Sequence, residues 1–298
     1  MVRGAHGYDA PMTDQRDRPA DLPAQHQEWP GTDADLAPPA DHGARSWAGR
    51  DRLRGKRAVV TGGDSGIGRA VAVAFAREGA DLVIAHLPEE EDDAQETLSL
   101  IGEGTRAVGH AGDLRTAAAN RELAQRAVDE LGGVDVLVCN AAFQMTHEAL
   151  ADFPPEQLER TFATNVLGPF WLIQALAPQL RDGGCIIVTT SVQAYSPSDH
   201  LLDYAATKAA LNNLVVNLAQ ELGPQGTRVN AVAPGPIWTP LIPATMGPDQ
   251  VEKFGADTPL GRPGQPVEVA AAYVFLASDE ASYVSGTVLG VTGGEPVF

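Results

Sequence analysis

Short apolar runs alternate with longer amphipathic stretches along most of the chain. The runs are rich in Val, Ile and Ala, which is typical of strands buried on both faces of a parallel sheet. We predict strands at residues 57–61, 81–85, 105–110, 134–139, 186–191, 227–232 and 288–291, and helices at residues 69–78, 116–131, 154–180, 204–222 and 268–277. Because strands and helices alternate, the pattern predicts an α/β fold with one doubly wound parallel sheet and helices on both faces.

Residues 1–50 depart from this pattern, because they are rich in Pro, Asp, Gln and Gly and show little apolar periodicity. Such a composition buries too little apolar surface to offset the entropy lost on ordering, which predicts a flexible tail. Trp29 and Trp47 favour an alternative, an arm that packs along the domain or on a neighbouring subunit. We therefore divide the chain into an N-terminal extension, residues 1–50, and one domain, residues 51–298, and keep both interpretations of the extension.

The overall composition disfavours several classes of function. The chain has 298 residues, 44% hydrophobic and 20% charged, with a formal net charge of -18, which disfavours nucleic acids and anionic membranes as partners. Cys139 and Cys185 lie in apolar runs and are expected to be buried thiols, without a disulfide or a metal site. The chain lacks an apolar stretch long enough to cross a bilayer and a signal-peptide pattern, so we expect a cytoplasmic protein.

A glycine-rich segment at residues 62–68 stands between the first predicted strand and the first predicted helix. Glycine allows a tight turn and a close approach of the backbone to a pyrophosphate, while the helix N-terminus supplies N–H donors. We therefore predict a dinucleotide site there, formed by Gly62, Asp64, Ser65, Gly66, Ile67 and Gly68.

The end of the second predicted strand is where the adenosine ribose is usually recognised. His86 and Leu87 occupy that place, so neither an acid for a ribose 2'-hydroxyl nor a base for a 2'-phosphate follows the strand directly. The acidic run at residues 89–93 would repel a phosphate if it lay near, but it is also typical of a solvated helix start. On balance we expect NAD rather than NADP.

Two further strand ends carry candidate contacts to the dinucleotide. Asp113 and Leu114 follow the third predicted strand, where an acid can accept a hydrogen bond from the adenine amino group. Asn140, Ala141 and Ala142 follow the fourth, where small residues let the backbone lie against a ribose.

Tyr204 and Lys208 are four positions apart in a predicted helix, so that their side chains lie on one face, about one turn apart. A free phenol has a pKa of about 10 and is a poor base at neutral pH. A nearby ammonium favours the phenolate, so we expect Lys208 to lower the pKa of Tyr204. The phenol could then exchange a proton with an alcohol or carbonyl oxygen near neutral pH.

Two polar residues are candidates for the same site. Ser191 ends the fifth predicted strand, at the edge where ligands bind in an open parallel sheet. Asn165 is a poor helix former inside a predicted helix, and we expect a kink there at which Asn165 carries a water for proton transfer.

A proline-rich turn follows the sixth predicted strand. Its residues Pro234, Gly235, Ile237 and Thr239 are expected to face the nicotinamide carboxamide. Residues 241–262 are irregular and rich in Pro and Gly, and we interpret them as a substrate lid. Four side chains in or beside this lid are apolar and predict an apolar pocket: Trp238, Leu241, Ile242 and Met246.

Together these segments resemble the short-chain dehydrogenase/reductase family over residues 53–294, in a subgroup of bacterial oxidoreductases with extended N-termini. The resemblance implies a Rossmann-type sheet of seven strands in the order 3-2-1-4-5-6-7 and a homotetramer built on the two long helices. It also implies that Asn165, Ser191, Tyr204 and Lys208 form the catalytic tetrad, with Lys208 and Tyr204 also contacting the cofactor.

The implied function is hydride transfer between NAD or NADP and a small alcohol, aldehyde or ketone, with Tyr204 as general acid and base. One alternative is a redox-sensing scaffold that binds a dinucleotide without turnover. Another is a ketoacyl-thioester reductase, which would need a basic surface for an acidic carrier protein.

Overall fold

Seven parallel strands form the sheet of the computed structural model, which describes residues 21–298. They are β1 Arg57–Thr61, β2 Asp81–His86, β3 Ala107–Ala111, β4 Val134–Cys139, β5 Leu180–Thr189, β6 Arg228–Pro234 and β7 Val288–Val291. Their order is β3-β2-β1-β4-β5-β6-β7, which confirms the predicted sheet.

Helices cover both faces of this sheet. They are α1 Gly66–Arg77, α2 Glu91–Ile101, α3 Ala117–Leu131, α4 Pro155–Phe162, α5 Gly168–Leu176, α6 Leu202–Leu222, α7 Leu241–Thr245, α8 Pro248–Glu252 and α9 Pro266–Ala277. Local sequence explains both ends of α3. Thr116 caps α3 by accepting a hydrogen bond from Ala119 N, and Gly132 ends the same helix with a φ of +71°.

The core lies in two layers, one on each side of the sheet. On one side, alternate residues of β1 and β2 pack against α1 and α9, and on the other the intervening residues pack against α3, α5 and α6. Every residue of β1 is buried, which is typical of a strand covered on both faces. Cys139 and Cys185 are buried free thiols, as predicted, and burial raises the pKa of Cys185 to about 11.

The predicted helix over residues 154–180 is interrupted in the structure. It consists of α4, a π-helical turn Ala163–Leu167 and α5, and a 3₁₀ turn Ala177–Gln179 leads into a β5 that begins earlier than predicted. An extra residue in the helical hydrogen-bond ladder produces such a π turn, which is frequent at functional sites. The predicted irregular lid likewise contains two short helices, α7 and α8.

Residues 21–50 form no helix or strand, but they pack along the domain of the same chain. Leu22 and Leu36 form a small apolar cluster with three residues of the lid region, Trp238, Ile242 and Val251. Trp47 of the same segment donates its indole N–H to Glu78 (3.1 Å) at the end of α1.

These contacts favour the arm over the flexible tail for the described part of the extension. Residues 1–20 lie outside the described residues, and the division of the chain at residue 50 stays a prediction. Within residues 21–298, no helix combines the length and the hydrophobicity that a membrane span requires.

Candidate functional site

A cavity of about 490 Å³ opens at the carboxyl edge of the sheet. β1 and β4 are neighbours there, so the cavity lies where the strand order reverses, the usual ligand site of an open α/β sheet. Its wall includes every predicted catalytic or cofactor-binding residue except Gly68 and Asn165. Segments far apart in the sequence are therefore brought together as predicted.

The glycine-rich turn is folded tightly enough to let a ligand approach its backbone. Gly62 and Gly66 have φ values of +61° and +50°, which favour glycine. A Cβ on Gly68 would lie 1.6 Å from the carbonyl oxygen of Gly62, so this position forms the floor of the turn and requires glycine. Thr61 Oγ1 accepts hydrogen bonds from Asn140 N (2.9 Å) and Ala141 N (3.0 Å) and joins the turn to the end of β4. The cradle fits a dinucleotide pyrophosphate.

Two carboxyl groups lie on the cavity wall beside the end of β2. They belong to Asp64, in the glycine-rich turn, and to Glu90, in the 3₁₀ turn after β2. Burial raises the pKa of Asp64 to about 6. Burial, and then repulsion by Asp64, raises the pKa of Glu90 to about 8. Asp64 Oδ1 is buried and accepts no hydrogen bond from residues 21–298, so it is open to a donor such as a ribose hydroxyl.

His86 is a different case, because its ring is buried and its Nδ1 lies 2.9 Å from the carbonyl oxygen of Leu87. It lines the cavity with Leu87 but does not offer a free side-chain donor at Nδ1. The acidic run starts a helix, as predicted, and Glu89 and Glu90 also line the cavity.

Asp113 lies on the cavity wall after β3, but its carboxylate is already engaged. Arg115 Nε donates to Asp113 Oδ2 (2.8 Å), and this guanidinium lowers the pKa of Asp113. The expected acceptor for an adenine amino group is therefore shared with a neighbouring cation that the sequence reasoning did not include.

Tyr204 and Lys208 begin α6 and are both buried. Burial raises the pKa of the Tyr204 phenol to about 12, and a hydrogen bond with Ser191 acts in the opposite direction. Burial lowers the pKa of the Lys208 ammonium to about 7. The expectation that Lys208 lowers the phenol pKa is wrong for this geometry. Lys208 Nζ lies 5.2 Å from the ring centroid of Tyr204 and donates to Thr189 O (2.9 Å), so loss of hydration dominates.

Asn165 lies in the π-helical turn, behind the cavity wall, and its side chain is engaged by protein groups. Its Oδ1 accepts from Phe143 N (2.7 Å), while Nδ2 donates to Phe143 O (2.8 Å) and Thr207 Oγ1 (3.1 Å). The interruption of the helix is confirmed. Since both amide hydrogens are used, Asn165 holds the segment that follows β4 against α6. The prediction that Asn165 binds a water for proton transfer stays a prediction.

The turn after β6 and part of the lid line the cavity as predicted. Leu241, Ile242 and Met246 contribute apolar surface to it. Trp238 is a correction, because its side chain is completely buried in the cluster with Leu22 and Leu36 rather than in the cavity wall. The indole of Trp238 donates to Pro38 O (2.8 Å), which turns the ring toward the extension.

Sequence reasoning missed several residues of the cavity wall. Trp29 and Pro30 reach it from the extension, and Arg115, Phe143 and Arg160 from the domain. The only available signal for Trp29 was a tryptophan in a polar segment, which indicates an anchoring point but not its location. The domain residues occupy a loop and a helix without a motif that would mark them.

Comparisons with known proteins identify the family of the chain. A family model described as enoyl-(acyl carrier protein) reductase matches residues 62–295. The uncharacterized oxidoreductase YhxD of Bacillus subtilis is 49% identical over 281 residues, which are 93% of this chain and 94% of that protein.

Two solved structures that contain a bound dinucleotide are similar to the chain. A short chain dehydrogenase from Burkholderia cenocepacia in complex with NADP is 34% identical, with a TM-score of 0.77, over 82% of this chain and 98% of that chain. A 3-ketoacyl-(acyl-carrier-protein) reductase from Brucella melitensis complexed with NADH is 31% identical, with a TM-score of 0.76, over 82% of this chain and 100% of that chain. The chain therefore belongs to the short-chain dehydrogenase/reductase family and is an NAD(P)-dependent oxidoreductase.

Proposed function

We propose that this enzyme interconverts a small aldehyde or ketone with its alcohol, with NAD as the preferred dinucleotide. The observation that carries the proposal is the convergence of Tyr204, Lys208 and Ser191 on one cavity with the glycine-rich turn. A bound nicotinamide supplies or accepts the hydride, and the residues of the chain position the substrate and move the proton.

Tyr204 is the proton donor to the carbonyl oxygen. Because its pKa is raised to about 12, the phenol is protonated at neutral pH, as a general acid must be. The hydroxyl of Ser191 lies beside it, and a hydroxyl can donate a second hydrogen bond to the same oxygen as negative charge develops there. In alcohol oxidation the phenolate form of Tyr204 would act in the reverse sense, accepting the hydroxyl proton and becoming the neutral phenol.

Lys208 has the position to hold the nicotinamide ribose. Because burial lowers its pKa to about 7, Lys208 is present near neutral pH both as an ammonium with three N–H donors and as an amine with two. Only one hydrogen bond of Nζ, to Thr189 O, is made within the described chain. The remaining hydrogens are free to bind ribose hydroxyls. Asn165 supports the arrangement by fixing Phe143 to α6 through Thr207.

The preference for NAD is supported by the two carboxyl groups beside the end of β2. Both Asp64 and Glu90 line the cavity where the 2' position of the adenosine ribose is read in this fold. A carboxyl group can bond a ribose hydroxyl, whereas an ionised carboxylate repels a 2'-phosphate. No lysine or arginine immediately follows β2 to neutralise such a phosphate.

The experiment is a titration of the purified protein with NADH, followed by a panel of aldehydes, ketones and one ketoacyl thioester monitored by loss of the cofactor absorbance. We expect NADH to bind and one or more aldehydes or ketones to be reduced. Binding without oxidation across the whole panel would favour the scaffold interpretation and contradict the proposal.

A ketoacyl-thioester reductase is a second candidate, because the Brucella melitensis neighbour is named as such a reductase and the matching family model is described as an acyl-carrier-protein enzyme. The net charge of -18 disfavours an acidic carrier protein as a partner. The thioester arm of the panel separates the two candidates, since reduction of the thioester alone would favour the second.

The homotetramer implied by the resemblance is supported by apolar side chains on the surface of α4, α5 and α6. Each is between two-fifths and one-half exposed: Leu158, Phe170, Leu202 and Val216. A contiguous apolar patch is typical of a subunit interface, and we infer that these side chains contribute to one. Sedimentation velocity tests the oligomeric state, with a monomer as the contradicting result. The cytoplasmic location stays a prediction, which cell fractionation tests.

A further inference from the structure

Residues 27–33 of the extension, which we call the clasp, are attached to the substrate lid. Gln27 N donates to Pro243 O (3.0 Å). Gly31, with a φ of +82°, lies so close to the lid that a Cβ there would stand 2.9 Å from Pro240 O and 3.1 Å from Ala244 Cβ. Gln27 and Gly31 therefore both lie against the lid.

Between these two points the clasp reaches the opposite rim of the cavity. The ring of Trp29 meets the ring of Phe143 edge to face, with centroids 4.8 Å apart. The guanidinium of Arg160 lies 5.1 Å from the ring centroid of Trp29 and 4.1 Å from that of Phe143. Since Phe143 follows β4 and the lid follows β6, the clasp connects the two rims, and Trp29 and Pro30 form part of the cavity wall.

A third attachment joins the clasp to the glycine-rich turn. The buried carboxylate of Asp33 accepts a hydrogen bond from Gly66 N (3.0 Å). Arg69 Nε lies 3.4 Å and His42 Nε2 lies 3.2 Å from this carboxylate. Burial acts to raise the pKa of Asp33, but these two contacts lower it. The clasp is thus fixed to the start of α1, where a pyrophosphate is expected to bind.

Two further observations connect Trp29 with the dinucleotide side of the cavity. Its partner Arg160 interacts electrostatically with Arg115 and Asp113, which follow β3 at the adenine end of the cavity. Asp33, four residues later in the clasp, is bonded to the glycine-rich turn. These links favour a place for Trp29 in the cavity wall beside the dinucleotide, between its adenine end and its pyrophosphate.

The indole of Trp29 also lacks an acceptor. Its Nε1 is buried and makes no hydrogen bond within the described part of the chain. An indole N–H can only donate, and a buried donor without an acceptor is unfavourable. The oxygens of a dinucleotide, which include the acceptor-only oxygens of the pyrophosphate, would supply the missing partner.

We propose that Trp29 is a cofactor-binding residue: the clasp covers the bound dinucleotide, the Trp29 indole donates to it, and the dinucleotide leaves only when the clasp lifts. This proposal rests on the proposed function only in that it requires NADH to bind. It assigns to the extension a direct part in cofactor retention.

The test is the dissociation rate of NADH from the full chain, measured by stopped-flow fluorescence after mixing the complex with excess NAD. We expect Trp29→Ala to accelerate dissociation at least about tenfold and Trp29→Phe, which keeps a ring but loses the donor, about threefold. Trp47→Ala is the control, because Trp47 belongs to the same extension but does not line the cavity. We expect the control to keep the parent rate.

If both Trp29 variants release NADH at the rate of the parent, the proposal is overturned and the proposed function is unaffected. If the parent does not bind NADH, the proposed function itself is overturned. Equal acceleration in Trp47→Ala and Trp29→Ala would also overturn the proposal for Trp29, because the effect would then reflect general loosening of the extension. If Trp29→Ala does not fold, Trp29→Phe decides by the same rate. Quenching of tryptophan fluorescence by NADH provides a second readout, and it should be smaller in Trp29→Phe than in the parent.

Discussion

Discrimination between NADP and NAD should depend on pH, because Glu90 titrates within the accessible range. Its pKa is raised to about 8 by burial and by the neighbouring Asp64. About one carboxyl in ten is then ionised at pH 7 and about ten in eleven at pH 9. Asp64, with a pKa of about 6, is largely ionised at both values and contributes a constant repulsion.

The magnitude follows from linkage. If a 2'-phosphate binds only when Glu90 is protonated, the Kd for NADPH rises about tenfold between pH 7 and pH 9, or about 1.4 kcal/mol. A ribose 2'-hydroxyl can donate to the ionised carboxylate or accept from the neutral acid, so the Kd for NADH should change little. We therefore predict that the ratio of the Kd for NADPH to the Kd for NADH rises about tenfold between pH 7 and pH 9.

The assay is a fluorescence titration with NADPH and NADH at pH 7, 8 and 9 at constant ionic strength. Glu90→Gln should bind NADPH more tightly than the parent at pH 9 and should show a ratio that is flat with pH. Asp92→Asn is the matched control, since it removes an exposed charge of the same acidic run outside the cavity wall. A parent ratio independent of pH, or a slope that survives in Glu90→Gln, would refute the reasoning.

Three further predictions concern stability and binding. Glu78 accepts hydrogen bonds from Trp47, Arg50 and Arg52, which outweigh its burial and lower its pKa to about 2. Glu78→Gln should therefore lower the free energy of unfolding in urea by roughly 2–3 kcal/mol at pH 7. The difference in stability between variant and parent should shrink as pH falls from 4.5 toward 2, because the carboxylate of the parent is then protonated. A difference that stays constant with pH would contradict this. Gly68→Ala should abolish NADH binding in a fluorescence titration, whereas Gly104→Ala, which has open space around it, should not. Asn165→Ala leaves the backbone N–H and C=O of Phe143 unpaired, so it should lower the free energy of unfolding in urea by roughly 2–3 kcal/mol. It should also lower kcat more than it raises KM. A variant as stable as the parent would show that these hydrogen bonds are unimportant.

The sheet was predictable because most strands are short and apolar, and most of those before β7 are followed by a helix of recognisable period. β1, β4 and β7 begin and end where the sequence predicts, and the glycine-rich turn has the position expected of a phosphate cradle. Helix interruptions were harder to place. The periodicity of residues 154–180 continues through the π turn, since one inserted residue hardly disturbs an amphipathic pattern.

The pKa values of the site residues, and which side chains line the cavity, depend on burial and on contacts between distant segments, which the sequence does not show. Four-residue spacing identified Tyr204 and Lys208 as neighbours, but the loss of hydration around both reversed the expected pKa change of the phenol. Glu90 resembled a solvated residue of a helix start, and the fold brings it into the same cavity as Asp64. Trp238 was assigned to the pocket, yet a hydrogen bond to Pro38, 200 positions earlier, turns it toward the extension.

The central claim is that Tyr204 delivers the proton in a redox reaction of a carbonyl group. The most direct measurement compares Tyr204→Phe with the parent in NADH titration and in kcat for the best carbonyl substrate, with Tyr195→Phe, outside the cavity wall, as the control. We predict that Tyr204→Phe binds NADH as the parent does while kcat falls by about 10²–10⁴-fold, and that the control keeps both values. A Tyr204→Phe variant that reduces the carbonyl at the parent rate would contradict the account.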